Sequence, residues 1–141
     1  MHTSARNEFA GTLTNVTKGA VNAEVILDIG GGQSLVAIIT NTSVDSLGLA
    51  VGKPAVALIK APWVILTTND RLKTSARNRL CGSVVAAREG AVNAEVTLDI
   101  GEGKKLTAIV TNDSLQSLGL KVGVHACALI KASHIILAVS A

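Results

Sequence analysis

The chain repeats itself without a gap. Ser75 follows Ser4 by 75 − 4 = 71 positions, and the same offset joins Gly19 to Gly90, Lys60 to Lys131 and Leu66 to Leu137. The word "TSARN" stands at Thr3–Asn7 and again at Thr74–Asn78; "GAVNAEV" stands at Gly19–Val25 and again at Gly90–Val96. Roughly three in five aligned positions are identical, far more than shared strand patterning produces. The sequence therefore reads as two domains, 1–68 and 74–141, joined by a polar linker at 69–73. Each is small enough that its own core is marginal. The two are expected to pack together or against other chains, and a homo-oligomer is the natural outcome.

Alternation fixes the class of fold. Val21, Ala23, Val25, Leu27 and Ile29 fall on one face and Asn22, Glu24, Ile26 and Asp28 on the other. A period of two is a half-buried strand. The second copy keeps the inner set as Val92, Ala94, Val96, Leu98 and Ile100, and changes Ile26 to Thr97 on the outer face. Glycine clusters at Gly30–Gly32 and Gly101–Gly103 read as turns. Further strands are expected over about 5–16 and 34–40, and the apolar runs 55–60 and 63–68 supply two more. A short helix is expected between them, capped by Asn41 or Thr42, with Asp45 in its first turn and Gly48 ending it. Phe9 and Trp63 are the only aromatic residues, so the core must be aliphatic. The pattern predicts an all-β chain of two tandem five-stranded Greek-key barrels of the oligonucleotide/oligosaccharide-binding (OB) type, each with one short helix.

Several chemistries are argued against. No histidine repeats: His125 stands where the first copy has Pro54, and His134 where it has Trp63. A nucleophilic triad normally needs such a base, so no enzyme is expected. No run of His, Cys and carboxylates has metal-ligand spacing. "GGGQS" lacks the Lys and following helix of a phosphate loop. Two aromatics cannot supply stacking platforms for a nucleic acid, and the net charge of +3 is too weak to demand a polyanion. Cys81 and Cys127, opposite Ala10 and Val56 of the first copy, read as buried free thiols in a reducing compartment. "MHTSARNEFAG" has no apolar segment of a signal peptide, and no apolar run is long enough to span a membrane. A cytoplasmic protein without membrane partners is expected.

The polar residues kept in both copies are rich in donors. They include Ser4/Ser75, Arg6/Arg77, Thr40/Thr111, Ser43/Ser114 and Lys60/Lys131. Hydroxyls and fixed cations with no competing acid suit a small tetrahedral oxyanion. Glu24 and Asp28 read instead as solvent-facing strand residues or ion-pair partners, and Asn7 as structural.

"TSARN…G", "GAVNAEV", "T-x-x-S" before a short helix and then "IKA" together resemble the molybdate-binding Mop domain. Two units in tandem are similar to the di-Mop proteins of the molbindin, or molybdenum-pterin-binding, group. The resemblance implies a non-enzymatic cytoplasmic protein for molybdenum storage and homeostasis. It binds molybdate or tungstate with no covalent cofactor, as a homotrimer of six Mop units. The alternative is a molybdate-dependent adaptor docking onto a molybdenum-cofactor enzyme or regulator. Interface sites are implied at Ser4, Arg6, Thr40, Ser43, Lys60 and Ala61, and at Ser75, Arg77, Thr111, Ser114, Lys131, Ala132 and Ser133. Axial sites are implied at Gly19, Ala20, Val21 and Asn22, and at Gly90, Ala91, Val92 and Asn93. Ser4 and Arg6 alternate with Ala5 and are expected to share one strand face, serving an anion site that also needs Thr40, Ser43 and Lys60 or their second-unit equivalents. The bend after the lysine differs between copies, Pro62 against Ser133, so the two units need not bind equally.

Overall fold

The structure, a computed structural model, describes residues 3–140. The described residues form ten strands and two short α-helices. Strands β1 (Asn7–Lys18), β2 (Asn22–Gly30), β3 (Gln33–Thr40) and β4 (Pro54–Ile59) are followed, after a 3-10 turn at Ala61–Trp63, by β5 (Ile65–Thr67). The second copy gives β6 (Asn78–Glu89), β7 (Asn93–Gly101), β8 (Lys104–Thr111) and β9 (His125–Ile130), a 3-10 turn at Ala132–His134, and β10 (Ile136–Ala138). Helix α1 (Asn41–Leu47) follows β3, and α2 (Asn112–Ser117) follows β8. Both sheets are antiparallel, five-stranded and OB-like, as the alternation predicts.

The two compact units do not follow the repeat boundary. One comprises Met1–Ile59 with Lys131–Ala141, the other Lys60–Ile130. The first sheet runs β10-β4-β1-β2-β3 and the second β5-β9-β6-β7-β8. Each sheet thus takes its last strand from the other repeat. The registers explain why this is permitted. Ile136 and Leu137 pair with Leu58 and Ala57, and Ile65 and Leu66 pair with Leu129 and Ala128. The two copies carry the same Ile-Leu pair and the same strand edge, so either segment fits either sheet. Exchange of identical elements costs little in packing.

In each unit the inner faces form the core. Val25, Leu27, Leu35 and Ala37 are buried in the first, and Val96, Leu98, Leu106 and Ala108 in the second. In the first unit β3 also packs against the 3-10 turn at Ala132–His134, and in the second β8 packs against the turn at Ala61–Trp63, which curls each sheet. Gly11 is needed where β1 passes β2: a Cβ there would collide with the carbonyl of Asp28, and one at Gly82 with that of Asp99.

Four local expectations are corrected. β1 begins at Asn7, with bends at Ser4 and Arg6, so those two residues are not on a strand face. Thr40, not Asn41 or Thr42, caps α1, its hydroxyl accepting from the Ser43 N–H, while Gly48 ends the helix in the left-handed region at φ 65° as expected. Asp45 lies beyond the first turn and pairs with Lys18. Val21 is 69% exposed, because β2 starts one residue later and Val21 belongs to the turn.

The cysteines also depart from expectation. Cys81 and Cys127 are directly opposed across β6 and β9 and form a disulfide. Sequence distance hid this, since 46 positions separate them and only strand pairing makes them neighbours. No helix among the described residues is long and apolar enough to cross a membrane.

Candidate functional site

The hydroxyl pair is built by the start of the helix. Thr40 Oγ1 accepts from the Ser43 N–H at 3.1 Å and donates to Ser43 Oγ at 2.9 Å. The second copy repeats this at 3.0 and 2.9 Å with Thr111 and Ser114. Because Ser43 Oγ accepts from Thr40, its own proton is left to be donated to another group. The Gly19–Asn22 turn is tied to the same place. The Asn41 side chain donates to the Gly19 carbonyl at 2.9 Å, its N–H to the Val21 carbonyl at 2.9 Å, and Asn22 pairs with Thr40. Asn112 holds Gly90 and Val92 in the same way. The N–H groups of Gly19 and Gly90 are themselves bonded, to the carbonyls of Asn22 and Asn93. All of Gly19–Asn22 and Gly90–Asn93 are exposed.

Thr40 and Ser43 open onto a cavity of about 280 Å³ that Ser133 also lines, with walls of Ile38, Ile135 and Leu137. The corresponding cavity of the second unit, about 380 Å³, is lined by Thr111 and Ser114 with Pro62 in the place of Ser133. No carboxylate lines either cavity. Strand exchange decides this membership. It brings the segment Lys131–Ser133 into the unit of Thr40 and Ser43, and Lys60–Pro62 into the unit of Thr111 and Ser114. Within the units, Thr40 and Ser43 therefore stand with the Lys131 segment, and Thr111 and Ser114 with the Lys60 segment. Lys60 and Lys131 are exposed and precede the buried Ala61 and Ala132. The Lys60 ammonium lies 5.1 Å from the Trp63 ring centre, and His134 holds the Trp63 position in the second copy.

The SARN segments stand elsewhere in their units. Ser4 and Arg6 are exposed at the start of β1, whereas the Gly19–Asn22 turn follows its far end, so they do not join Thr40 and Ser43 within the first unit. Ser75 and Arg77 stand likewise before β6. Asn7 is 2% exposed and donates to the Ile59 carbonyl at 3.2 Å; Asn78 donates to the Ile130 carbonyl at 3.2 Å. Each amide fixes the last residue before a lysine, which gives the kept Asn a structural role. Asp28 and Asp99 are strand residues at the ends of β2 and β7, accepting from the N–H of Gly30 at 2.8 Å and of Gly101 at 2.9 Å.

This is the architecture of two tandem five-stranded OB-like sheets, and the comparisons with known proteins agree on its family. The TOBE domain model matches residues 3–66 and 74–137. The chain belongs to the TOBE-domain family and carries two Mop-like copies in tandem. It is 48% identical over 139 residues to the molybdenum transport protein ModE of Azotobacter vinelandii, covering 99% of this chain and 52% of that protein. It is 51% identical over 139 residues to the molybdenum-pterin-binding protein MopA of Rhodobacter capsulatus, covering 98% of this chain and 52% of that protein. The chain spans about half the length of these curated relatives. Among solved structures it resembles the cytoplasmic molybdate-binding protein ModG with molybdate bound, at a TM-score of 0.96 and 50% identity over 99% of this chain and 100% of that one.

Proposed function

We propose that this chain is a cytoplasmic, non-enzymatic molybdate-binding protein that also accepts tungstate and serves molybdenum storage and homeostasis. The observation that carries the reading is the likeness, over its whole length, to a molybdate-bound protein. The local chemistry supports it. Each cavity offers hydroxyl donors on apolar walls without a carboxylate to repel an anion. In the first unit the donors are Thr40, Ser43 and Ser133, with Lys131 and the Ala132 backbone at the head of the segment that brings Ser133 in. In the second they are Thr111 and Ser114, with Lys60 and the Ala61 backbone. Ser4 with Arg6, and Ser75 with Arg77, complete the charge of these sites at interfaces of a homotrimer. The turns at Gly19–Asn22 and Gly90–Asn93 present Val21 and Val92, 69% and 72% exposed, and are the surfaces we assign to the trimer axis and its axial anion sites.

A dianion held by several charge-assisted hydrogen bonds, each worth about 1.5–3 kcal/mol, needs no covalent cofactor and no catalytic group. Calorimetric titration with molybdate tests the reading. Arg6→Ala combined with Arg77→Ala should weaken binding by roughly tenfold or more. An unchanged isotherm removes the arginines from the site, and absence of any heat in the unaltered protein removes the function. The second reading, a molybdate-dependent adaptor for a molybdenum-cofactor enzyme or regulator, draws on the relatives about twice as long as this chain. It predicts a partner that co-purifies only when molybdate is present.

A further inference from the structure

Three positions at which the second repeat departs from the first meet on one face of its sheet. Cys81 pairs with Cys127, and Ser83 with His125, across β6 and β9. His125 and Cys127 are two residues apart on β9 and so share a face. The two sulfurs and an imidazole nitrogen lie within 4.8 Å of one another. The first repeat carries Ala10, Val56 and Pro54 at these places, none of which has a ligand atom.

A fourth change covers the cluster. Arg79, where the first repeat has Glu8, donates to the backbone carbonyls of Leu72, Asp70 and Asn69 at 2.8, 3.0 and 3.4 Å. Arg79 is two residues from Cys81 on β6 and so pins the linker beside it. The pinned linker sets the Asp70 carboxylate 3.6 Å from His125 Nε2. A carboxylate on one ring nitrogen is the arrangement that fixes a histidine's tautomer and turns its other nitrogen to a metal.

We propose that reduction of the Cys81–Cys127 disulfide opens a zinc-type site formed by both thiolates and His125, with Asp70 positioning the imidazole and solvent in the fourth place. Two thiolates and an imidazole select borderline-soft ions such as Zn²⁺ over Mg²⁺ or Ca²⁺. The switch is balanced by a dithiol reductant. It gives two electrons and two protons to the protein disulfide, which becomes two thiols, and is itself oxidised to a disulfide. Metal binding then releases the thiol protons to solvent. In a reducing compartment the open form is the one that persists. Neither half of the switch requires oxyanion binding.

Cobalt(II) is the probe, titrated anaerobically into the full chain after reduction by a phosphine, which adds no thiol. The expected result is about one cobalt per chain, with sulfur-to-cobalt charge-transfer absorption and tetrahedral d–d bands that zinc abolishes. The oxidised chain should show neither. Cys81→Ala with Cys127→Val should abolish the bands, and His125→Pro should weaken binding by at least about tenfold. All three substitutions are residues that the same strand positions already accommodate in the first repeat. Asp70→Ala should weaken binding while leaving the charge-transfer bands in place. The proposal is overturned if the reduced chain gives no charge-transfer band, or if the band persists without the two sulfurs. The comparison of oxidised with reduced unaltered chain decides the matter even if a variant fails to fold.

Discussion

Replacing Ser43 and Ser114 with Ala should separate ligand binding from stability. In each copy the serine N–H is bonded to the threonine hydroxyl, and the threonine proton is bonded to the serine oxygen. Alanine keeps the N–H, so the helix cap survives and unfolding in urea should shift by less than about 0.5 kcal/mol. What disappears is the one hydroxyl proton of the pair that is left to be donated. Loss of one hydrogen bond to a charged ligand costs about 1.5–3 kcal/mol, or roughly a tenfold to hundredfold rise in Kd for molybdate. The opposite variant, Thr40→Val with Thr111→Val, keeps both serines but removes the acceptor that caps each helix. It should cost about 1 kcal/mol of stability per helix and weaken binding through loss of the relay. Calorimetric titration and urea unfolding on the same samples measure both quantities. The reasoning fails if the alanine variant binds molybdate with unaltered affinity, or if the valine variant is as stable as the parent chain.

Three further outcomes follow from the geometry. Gly82→Ala should destabilise by about 1–3 kcal/mol or more, because its Cβ meets the Asp99 carbonyl, and a lowered urea midpoint would show it. Asn7→Ala leaves the buried Ile59 carbonyl without its side-chain donor and should cost about 1–3 kcal/mol, read from thermal unfolding at fixed concentration. Ser133→Pro gives the first unit the residue that the second carries in its 3-10 turn, so the fold should hold while the molybdate affinities of the two units converge in titration.

The repeat made much of this legible. Period-two alternation at Ala23–Ile29 gave the strands, and Gly48 gave the helix end. Repetition of Thr40, Ser43 and Lys60 marked the donors as a set. What the pattern could not convey was which copies of the set stand together. Both repeats carry the same edge along β4 and β9, and the same Ile-Leu pair to fill it, so the sequence is equally consistent with a strand returning to its own sheet or crossing to the other. Only the crossing puts Ser133, and not Pro62, beside Thr40. In the SARN segments Ser and Arg alternate with Ala, which imitates a strand where the chain in fact bends. The disulfide was hidden for a different reason. Cys81 and Cys127 stand opposite Ala10 and Val56 of the first copy, which show only that the places suit small apolar side chains. The register of β6 against β9, which sets the two sulfurs and His125 on one face, is a long-range pairing that no local pattern reports.

The central claim is that strand exchange assigns the Lys131 segment, and not the Lys60 segment, to the Thr40 cavity. A double-mutant cycle of molybdate affinity tests it directly, with Thr40→Val combined in turn with Lys131→Ala and with Lys60→Ala. Residues that share a ligand couple by about 0.5–3 kcal/mol, and independent ones add. Coupling is expected for Thr40 with Lys131 and additivity for Thr40 with Lys60. Coupling to Lys60 with additivity for Lys131 would contradict it.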